Sequence, residues 1–350
     1  MKRLVTGLLL AVATIVLGAG PVLACGGLVA PNGAVNLLRT TTLAAYVDGI
    51  EHYVTSFEFA GGGGGKFGSI VPLPAVPAKV SKAGRWTLQR LVEEVRPPEP
   101  TALAFESATA DSRRSAEVLL ETRVSALDIT VLKGGGDEVG RWAEDNGFSL
   151  PPDAPEVLDF YAGRSPIFMA VRFDLERARA KDLTVGQGIP VHLTIPTDRP
   201  WVPLRILGLG RQPGEIVEAD VFLLTVSQPS LLPFTAPTGS ETGMVLERSE
   251  PATELLLTDL AGDRGMDWLP ESNMWLSYIR INAPAADLDH DLAIGLEGER
   301  PSALDAGLIT VSERTPAGED STTPVLPWVL AAATAAGVLV AAAKFATDGS

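Results

Sequence analysis

The sequence contains one cysteine, Cys25, so no disulfide can form within a single chain. This excludes the small secreted proteins that depend on several disulfides for stability. Histidine is scarce too, since only His52, His192 and His290 occur, and neither HExxH nor GxSxG is present. The sequence therefore gives no support to the zinc protease or serine hydrolase classes that those motifs mark.

Basic residues are also few, because 28 lysines and arginines stand against 43 aspartates and glutamates, for a net charge of −15. Residues 25–324 alone carry −17. Such a charge repels phosphates and argues against nucleic acid or anionic lipid headgroups as partners of this region. Hydrophobic residues make up 46% of the 350 residues, enough to form the core of one large domain or two modest ones.

Residues 1–24 have the pattern of a signal peptide. Lys2 and Arg3 form a positive start, residues 4–17 form an apolar run, and Ala24 ends a cleavage site directly before Cys25. The predicted processing residues are therefore Ala24 and Cys25. Cysteine at the new N-terminus leaves three alternatives open: a lipidated residue, a free thiol, or an intermolecular disulfide.

The other end of the chain predicts a membrane anchor. Residues 325–343 carry no charge over about 28 Å of helix, which is close to the thickness of the hydrocarbon core. Lys344 begins a short tail, 344–350, predicted to be cytoplasmic, and residues 313–324 form an acidic, proline-containing stalk outside. Small residues at Ala333, Gly337 and Ala341 would permit a homodimer through this helix. The predicted location is the bacterial cell membrane, crossed once, with the N-terminal domain outside.

The region between these ends, residues 25–312, is predicted to be an extracytoplasmic α+β domain, mostly antiparallel β, with a few helices between residues 81 and 162. A subdivision near residues 176–188 and one continuous domain are both open alternatives. The Asp48-Gly49 pair predicts a tight hairpin turn. Strands are predicted over 40–47, 50–59, 69–74, 124–132, 166–173, 190–195, 201–207, 215–226, 243–247 and 274–281. Helices are predicted over 81–96, 137–146, 155–161 and 252–260.

Several patterns were tested for chemistry and do not predict a site. The glycine run at 61–65 fails as a phosphate loop, because Ala60 replaces its first glycine and Phe67 its hydroxyl residue. His52 and His192 fall in strands, where a structural role is the default. Four residues form the densest ligand-like cluster, but it is interpreted as a solvated acidic turn: Asp287, Asp289, His290 and Asp291. No catalytic residue, cofactor site or metal site is predicted.

The tryptophans Trp86, Trp142, Trp201, Trp268 and Trp275 could line a sugar site, although core packing is the expected role for most of them.

Several blocks occur in the order found in a bacterial domain-of-unknown-function family, number 2330, and the chain resembles that family over residues 24–292. The blocks are Ala24-Cys25-Gly26-Gly27, Ile70–Pro74, Asp128–Leu132, Trp142–Pro151, Phe168–Leu175, Pro190–Pro203 and Trp275–Asp291. Gly68-Ser69 stands where an aromatic residue often precedes the Pro-x-Pro segment. The resemblance implies export and a C-terminal membrane segment, and it carries no assigned activity.

The sequence favours a non-enzymatic envelope protein, anchored by its C-terminal helix, whose ectodomain binds another envelope protein or a wall component. An extracytoplasmic hydrolase with an unrecognised site is one alternative. An accessory subunit of a membrane complex is another. A deep pocket with converging carboxylates and tryptophans would favour the hydrolase, whereas a flat face or an exposed sheet edge would favour binding.

Overall fold

The structure is a computed structural model that describes residues 27–29, 36–60, 66–84, 86–95, 118–180, 188–233 and 243–309. All of these described residues belong to one compact unit. The predicted signal peptide, Cys25, the stalk, the segment 325–343 and the tail all lie outside the described residues. Within the described ranges no helix is long and apolar enough to cross a membrane.

Most of the described chain is β-structure. The strands are β1 Gly27–Val29, β2 Asn36–Val47, β3 Ile50–Ala60, β4 Lys66–Leu73, β5 Lys79–Lys82, β6 Val118–Val124, β7 Leu127–Lys133, β8 Ile167–Asp174, β9 Val191–Pro196, β10 Trp201–Val202, β11 Ile216–Thr225, β12 Ser230–Leu232, β13 Met244–Pro251, β14 Trp275–Pro284 and β15 Leu292–Gly295. The helices are α1 Thr87–Val95, α2 Gly136–Asp145, α3 Ala154–Ala162, α4 Leu175–Arg179 and α5 Glu254–Ala261, with 3₁₀ turns at Arg205–Gly208 and Ala285–Asp287.

A seven-stranded sheet has the order β13-β14-β11-β2-β3-β9-β5. Its neighbours are antiparallel except for β11 and β2, which run parallel. The predicted hairpin at its centre is confirmed, because β2 and β3 pair from Val47↔Ile50 outwards. Asp48 (φ 51°) and Gly49 (φ 78°) both occupy the left-handed region, as this turn requires.

A five-stranded sheet has the order β1-β4-β8-β7-β6, and a small sheet joins β10, β15 and β12. Proline is normally confined to edge strands, yet β4 contains Pro72 and has neighbours on both sides. The pairing explains how proline is tolerated there. Among the described residues, β1 pairs with β4 only as far as Ile70, so the described strand neighbour of Pro72 is β8.

Three local predictions need correction. The predicted strand 201–207 is a strand only at Trp201–Val202, and a 3₁₀ turn follows at Arg205–Gly208. The predicted strand 124–132 is a hairpin, in which Val124 pairs with Leu127 around a turn and Ser125 has φ 59°. The predicted helix 81–96 begins only at Thr87, because Ser81 belongs to β5 and pairs with His192 in β9. Two described helices, α4 and α5, lie outside the interval 81–162, and the second matches the short helix predicted at 252–260.

The core has two parts, one on each face of the seven-stranded sheet. The larger joins inward side chains of both large sheets, including Tyr53, Val71 and Met169, with α2 and α3. The smaller lies on the outer face, where α1 and α5 cover Leu43 and Phe222. Strand alternation sorts the residues between these faces. The α+β class with mostly antiparallel strands is therefore confirmed.

Candidate functional site

Two of the three histidines, 140 residues apart in sequence, meet on the outer face of the seven-stranded sheet. β3 and β9 pair so that His52 lies opposite Thr194 and His192 opposite Val54, which puts both imidazoles on one face. His52 Nδ1 and His192 Nε2 are 3.0 Å apart, a hydrogen-bond distance. Both side chains are buried. The prediction that each belongs to a strand is confirmed; their pairing was not predicted.

Trp268 covers this pair. Its ring stacks on the imidazole of His52 with centroids 3.6 Å apart and an interplanar angle of 13°. The indole Nε1 donates a hydrogen bond to the carbonyl oxygen of Gly265 at 2.9 Å, which fixes the orientation of the ring. Because Trp268 is only partly buried, it forms the outer wall of the histidine pair.

Asp263 ties the segment that carries Trp268 to the start of α1. Its carboxylate accepts hydrogen bonds from the backbone N–H of Thr87 at 2.9 Å and from the Thr87 hydroxyl at 2.6 Å. It also accepts one from the backbone N–H of Trp86 at 3.3 Å. A distant aspartate therefore satisfies the free N–H groups of the first helical turn. This contact explains why α1 begins at Thr87 and why Trp86 adjoins residues 263–268.

Burial keeps the histidine pair neutral at pH 7. It lowers the pKa of His52 to about 4, with a further decrease from His192, whereas Asp267 acts in the opposite direction. Burial also lowers the pKa of His192 to about 4; Lys79 adds to the decrease and Asp267 opposes it. A neutral pair shares one N–H donor across the 3.0 Å contact. Protonating one ring would bury a charge, and protonating both would place two like charges side by side, so burial favours the neutral pair.

The protein is therefore expected to lose stability in acid through these two rings. Their folded pKa values lie below the ordinary 6.5, so the stability is complete above pH 6.5 and is lost as pH falls towards 4. We expect a loss of about 2 kcal/mol in total, allowing for screening by the solvent beyond the partly exposed Trp268. The measurement is urea unfolding at several pH values from 7 to 4. In His52→Gln the loss of unfolding free energy that the histidines cause over this range should be about half that in the unmodified chain. Parallel curves for the two proteins would contradict it.

The predicted acidic cluster near residue 290 is resolved into separate environments. Asp291 is fully buried, which corrects the interpretation of a solvated acidic turn. Asp287 lies in a 3₁₀ turn, and the carboxylate of Asp289 is exposed and 3.0 Å from His290 Nδ1. Throughout the described ranges, no group of three or more His, Cys, Asp and Glu side chains is placed to hold a metal.

Asp291 is the centre of a buried ion pair. Its carboxylate accepts from the Tyr161 hydroxyl at 2.8 Å and from the backbone N–H groups of Leu204 and Arg205 at 2.6 and 3.0 Å. It also pairs with Arg164, whose side chain is 6% exposed. Four donors thus compensate one buried charge, as a buried carboxylate requires.

Aromatic rings enclose the arginine of this pair. The Arg164 guanidinium carbon lies 4.5 Å from the ring centre of Phe160, 4.8 Å from that of Trp201 and 5.1 Å from that of Tyr161. These distances are within the range of cation–π attraction. The ion pair therefore joins α3, the segment 201–205 and the start of β15.

Glu51, on the inner face of β3, is also buried, at 1% exposure. Neither carboxylate oxygen has a hydrogen-bond partner among the described residues. Burial raises the pKa of this group from 4.5 to about 8. The acid is therefore mainly protonated at neutral pH, which avoids an unpaired buried charge.

The tryptophans divide between core and surface. Trp142 and Trp201 are buried, as expected for core residues. Trp86 is 37% exposed, and Trp268 and Trp275 are partly exposed. Exposed tryptophan has no sequence signature, because the residue suits cores equally well.

Three further predictions lie outside the described residues and stay untested. They concern the processing residues Ala24 and Cys25 and the glycine run 61–65.

A family profile described as "Uncharacterized protein conserved in bacteria (DUF2330)" matches residues 21–228. No curated protein matches the chain. A crystal structure of baculovirus P35 covers 76% of this chain and 98% of its own, at 9% identity and a TM-score of 0.38. A mutated baculovirus P35 after caspase cleavage covers 73% and 99%, at 7% identity and a TM-score of 0.39. Similarity at this level carries no statement about function.

Proposed function

This chain belongs to the bacterial family DUF2330, whose members are uncharacterised, and we propose that it is an exported, membrane-anchored protein whose ectodomain binds a neutral glycan of the cell wall. The observation that carries the binding proposal is the surface formed by Trp86, Trp268 and residues 263–268, called the tryptophan surface below.

The two ends of the sequence support export and anchoring. Residues 1–24 have the charge and apolar pattern of a cleaved signal, and residues 325–343 have the length and apolarity of one membrane span. The stalk 313–324 would separate the folded region from the membrane surface. In this arrangement the chain crosses the membrane once and places its acidic domain outside.

The tryptophan surface suits a ring-shaped, uncharged ligand. A sugar ring offers an apolar C–H face and polar hydroxyls, and an indole offers an apolar face and one N–H. Trp268 is already held in one orientation by His52 and Gly265, so binding would immobilise little additional side chain. Asp267 beside it is exposed and can accept hydrogen bonds from sugar hydroxyls.

The charge of the chain limits the kind of wall polymer. A net charge of −15 repels phosphate-bearing or uronic polymers at moderate ionic strength. Neutral glycan strands do not meet this repulsion. The proposal therefore commits to an uncharged glycan as the ligand.

The test is co-sedimentation of the full chain, extracted from membranes with detergent, with insoluble wall glycan stripped of its anionic polymers. We expect the chain to require detergent for release and to bind the glycan saturably. Trp268→Ala should weaken binding about tenfold, equivalent to about 1.4 kcal/mol of lost stacking. Trp86→Ala should act in the same direction, and it removes no contact with the histidine pair.

The matched control is Leu255→Ser, which removes a 69% exposed apolar side chain from α5 without touching an indole. It should bind as the unmodified chain does. An equal loss in this control would indicate nonspecific apolar adsorption. Unchanged binding in both tryptophan variants would overturn the proposal.

A further inference from the structure

A small cavity lies between the two large sheets. Its lining on the seven-stranded sheet comes from β2, β3 and β11, and on the opposite side from β4 and the segment 202–207. The volume that the centre of a water molecule can occupy inside it is about 20 Å³. The empty space is about 410 Å³ when the part that opens to solvent is included. As it stands, the cavity therefore holds about one water molecule.

Hydroxyl groups from both sheets line this cavity. Thr40 and Thr42 face inwards from β2, and Thr42 lies directly opposite Thr55 on β3, with their hydroxyl oxygens 3.2 Å apart. Ser69 adds a hydroxyl from β4, and Tyr53 a phenol from β3. Strand alternation places the β2 and β3 hydroxyls on the inner face of the seven-stranded sheet, and Ser69 lies across the cavity from them.

Two of these hydroxyls lack a hydrogen-bond partner among the described residues. Thr40 Oγ1 and Ser69 Oγ are buried, and neither forms a hydrogen bond within the part of the chain that the structure describes. The residues are 6% and 5% exposed. A buried hydroxyl without a partner is unfavourable, so both groups would gain from a ligand that supplies a donor or an acceptor.

The remaining wall is apolar, and the lining carries no charged side chain at neutral pH. Ile70, Val71, Val221 and the apolar residues of 202–207 surround the hydroxyls. Tyr53 is the one titratable residue in this lining, and burial raises its pKa, so the phenol stays neutral. A charged ligand would be left without a counter-charge in such a site.

We propose that this inter-sheet cavity is a binding site for a small uncharged molecule with a hydroxyl or carbonyl head and a short apolar body. The head bonds to Thr40 and Ser69, and the body packs against Val221 and the segment 202–207. Because the present space fits about one water, entry of such a ligand displaces that segment outwards. This site is independent of the tryptophan surface, which lies on the opposite face of the seven-stranded sheet.

The test uses the full chain in detergent and 1-butanol as the probe, with butyrate and butylammonium as charged analogues. Ligand-observed NMR should show saturable binding of 1-butanol with a Kd on the order of millimolar, as expected for five heavy atoms. The two charged analogues should bind at least tenfold more weakly. Because this comparison uses the unmodified chain, it does not depend on the folding of any variant.

The paired substitution Thr40→Val and Ser69→Ala should weaken 1-butanol binding at least fivefold. The matched control is Thr41→Val, which changes the neighbouring threonine on the opposite face of β2 and should leave binding unchanged. Absence of saturation, equal binding of butyrate, or equal binding by the paired variant would overturn the proposal. So would a crystal structure soaked in 1-butanol that shows only water in the cavity.

Discussion

Replacing Asp291 by asparagine is expected to lower the free energy of unfolding by about 3 to 5 kcal/mol, the largest loss we anticipate for a single isosteric change. The substitution leaves Arg164 buried with its charge unpaired among Phe160, Tyr161 and Trp201. It also weakens the acceptor for two backbone N–H groups and one hydroxyl. Urea unfolding at pH 7 should show a lower midpoint with an unchanged slope.

The matched control is Arg141→Met, which breaks the ion pair between Arg141 and Glu138 on α2. Both side chains of that pair are largely exposed, at 66% and 46%. Removing an exposed pair should cost less than about 1 kcal/mol. If Asp291→Asn were no more destabilising than this control, the buried ion pair would not be what holds α3 to the segment 201–205.

The elements predicted well are those specified by neighbouring residues. The β2–β3 hairpin follows from Asp48-Gly49, whose two residues adopt the positive φ values that this turn demands. Helix α2 was predicted within one residue at each end, because Asn146 and Gly147 terminate it. Strand β8 follows from the alternation of Ile167, Met169 and Val171. None of these predictions requires knowledge of distant contacts.

The predictions that were wrong or missing concern features that depend on contacts between residues distant in sequence. The start of α1 is set by Asp263, which lies 176 residues beyond Thr87. The burial of Asp291 depends on Arg164, 127 residues earlier, and nothing in the local run of aspartates distinguishes it from Asp287 or Asp289. Pairing of β3 with β9 is likewise needed to bring the histidines together. Local periodicity predicts a strand or helix, whereas strand order decides which side chains meet.

The candidate sites also depend on contacts between residues that are distant in sequence. Sequence alone identified Trp86 and Trp268 among several candidates, but exposure separated them from Trp142 and Trp201. The inter-sheet cavity could not be predicted, because threonine in a strand is ordinary in composition. The cavity has its polar lining only because the fold places Thr40 on β2 across from Ser69 on β4.

The second large effect concerns Glu51 and has the opposite pH dependence to the histidine pair. Its pKa in the folded protein, about 8, lies above the ordinary value of 4.5. The folded state therefore holds a proton that the unfolded state releases. The stability linked to this group is complete below pH 4.5 and is lost as pH rises through 8. The accumulated loss at pH 8 is about 4 kcal/mol, at 1.36 kcal/mol per pKa unit.

Glu51→Gln should therefore stabilise the protein in mild alkali. The amide has nearly the shape of the protonated acid and cannot ionise, so it keeps the packing and removes the pH dependence. We expect a gain of about 4 kcal/mol over the unmodified chain at pH 8, shrinking to about zero at pH 4.5, in urea unfolding across that range. The control is Glu299→Gln, which makes the same chemical change at an exposed position. It should leave the pH dependence of the unfolding free energy unchanged.

The two opposing groups together predict where stability is greatest. Between pH 4.5 and 6.5 Glu51 loses about 1.36 kcal/mol per pH unit, whereas the histidine pair recovers only about 2 kcal/mol in total, so stability should already fall gently as pH rises. Above pH 6.5 only the glutamate contribution changes, and stability should fall. The maximum is thus expected near pH 4.5, and Glu51→Gln should move it to about pH 6.5 and replace the decline above that pH by a plateau. A variant that declines in parallel with the unmodified chain above pH 6.5 would show that Glu51 ionises normally in the folded protein.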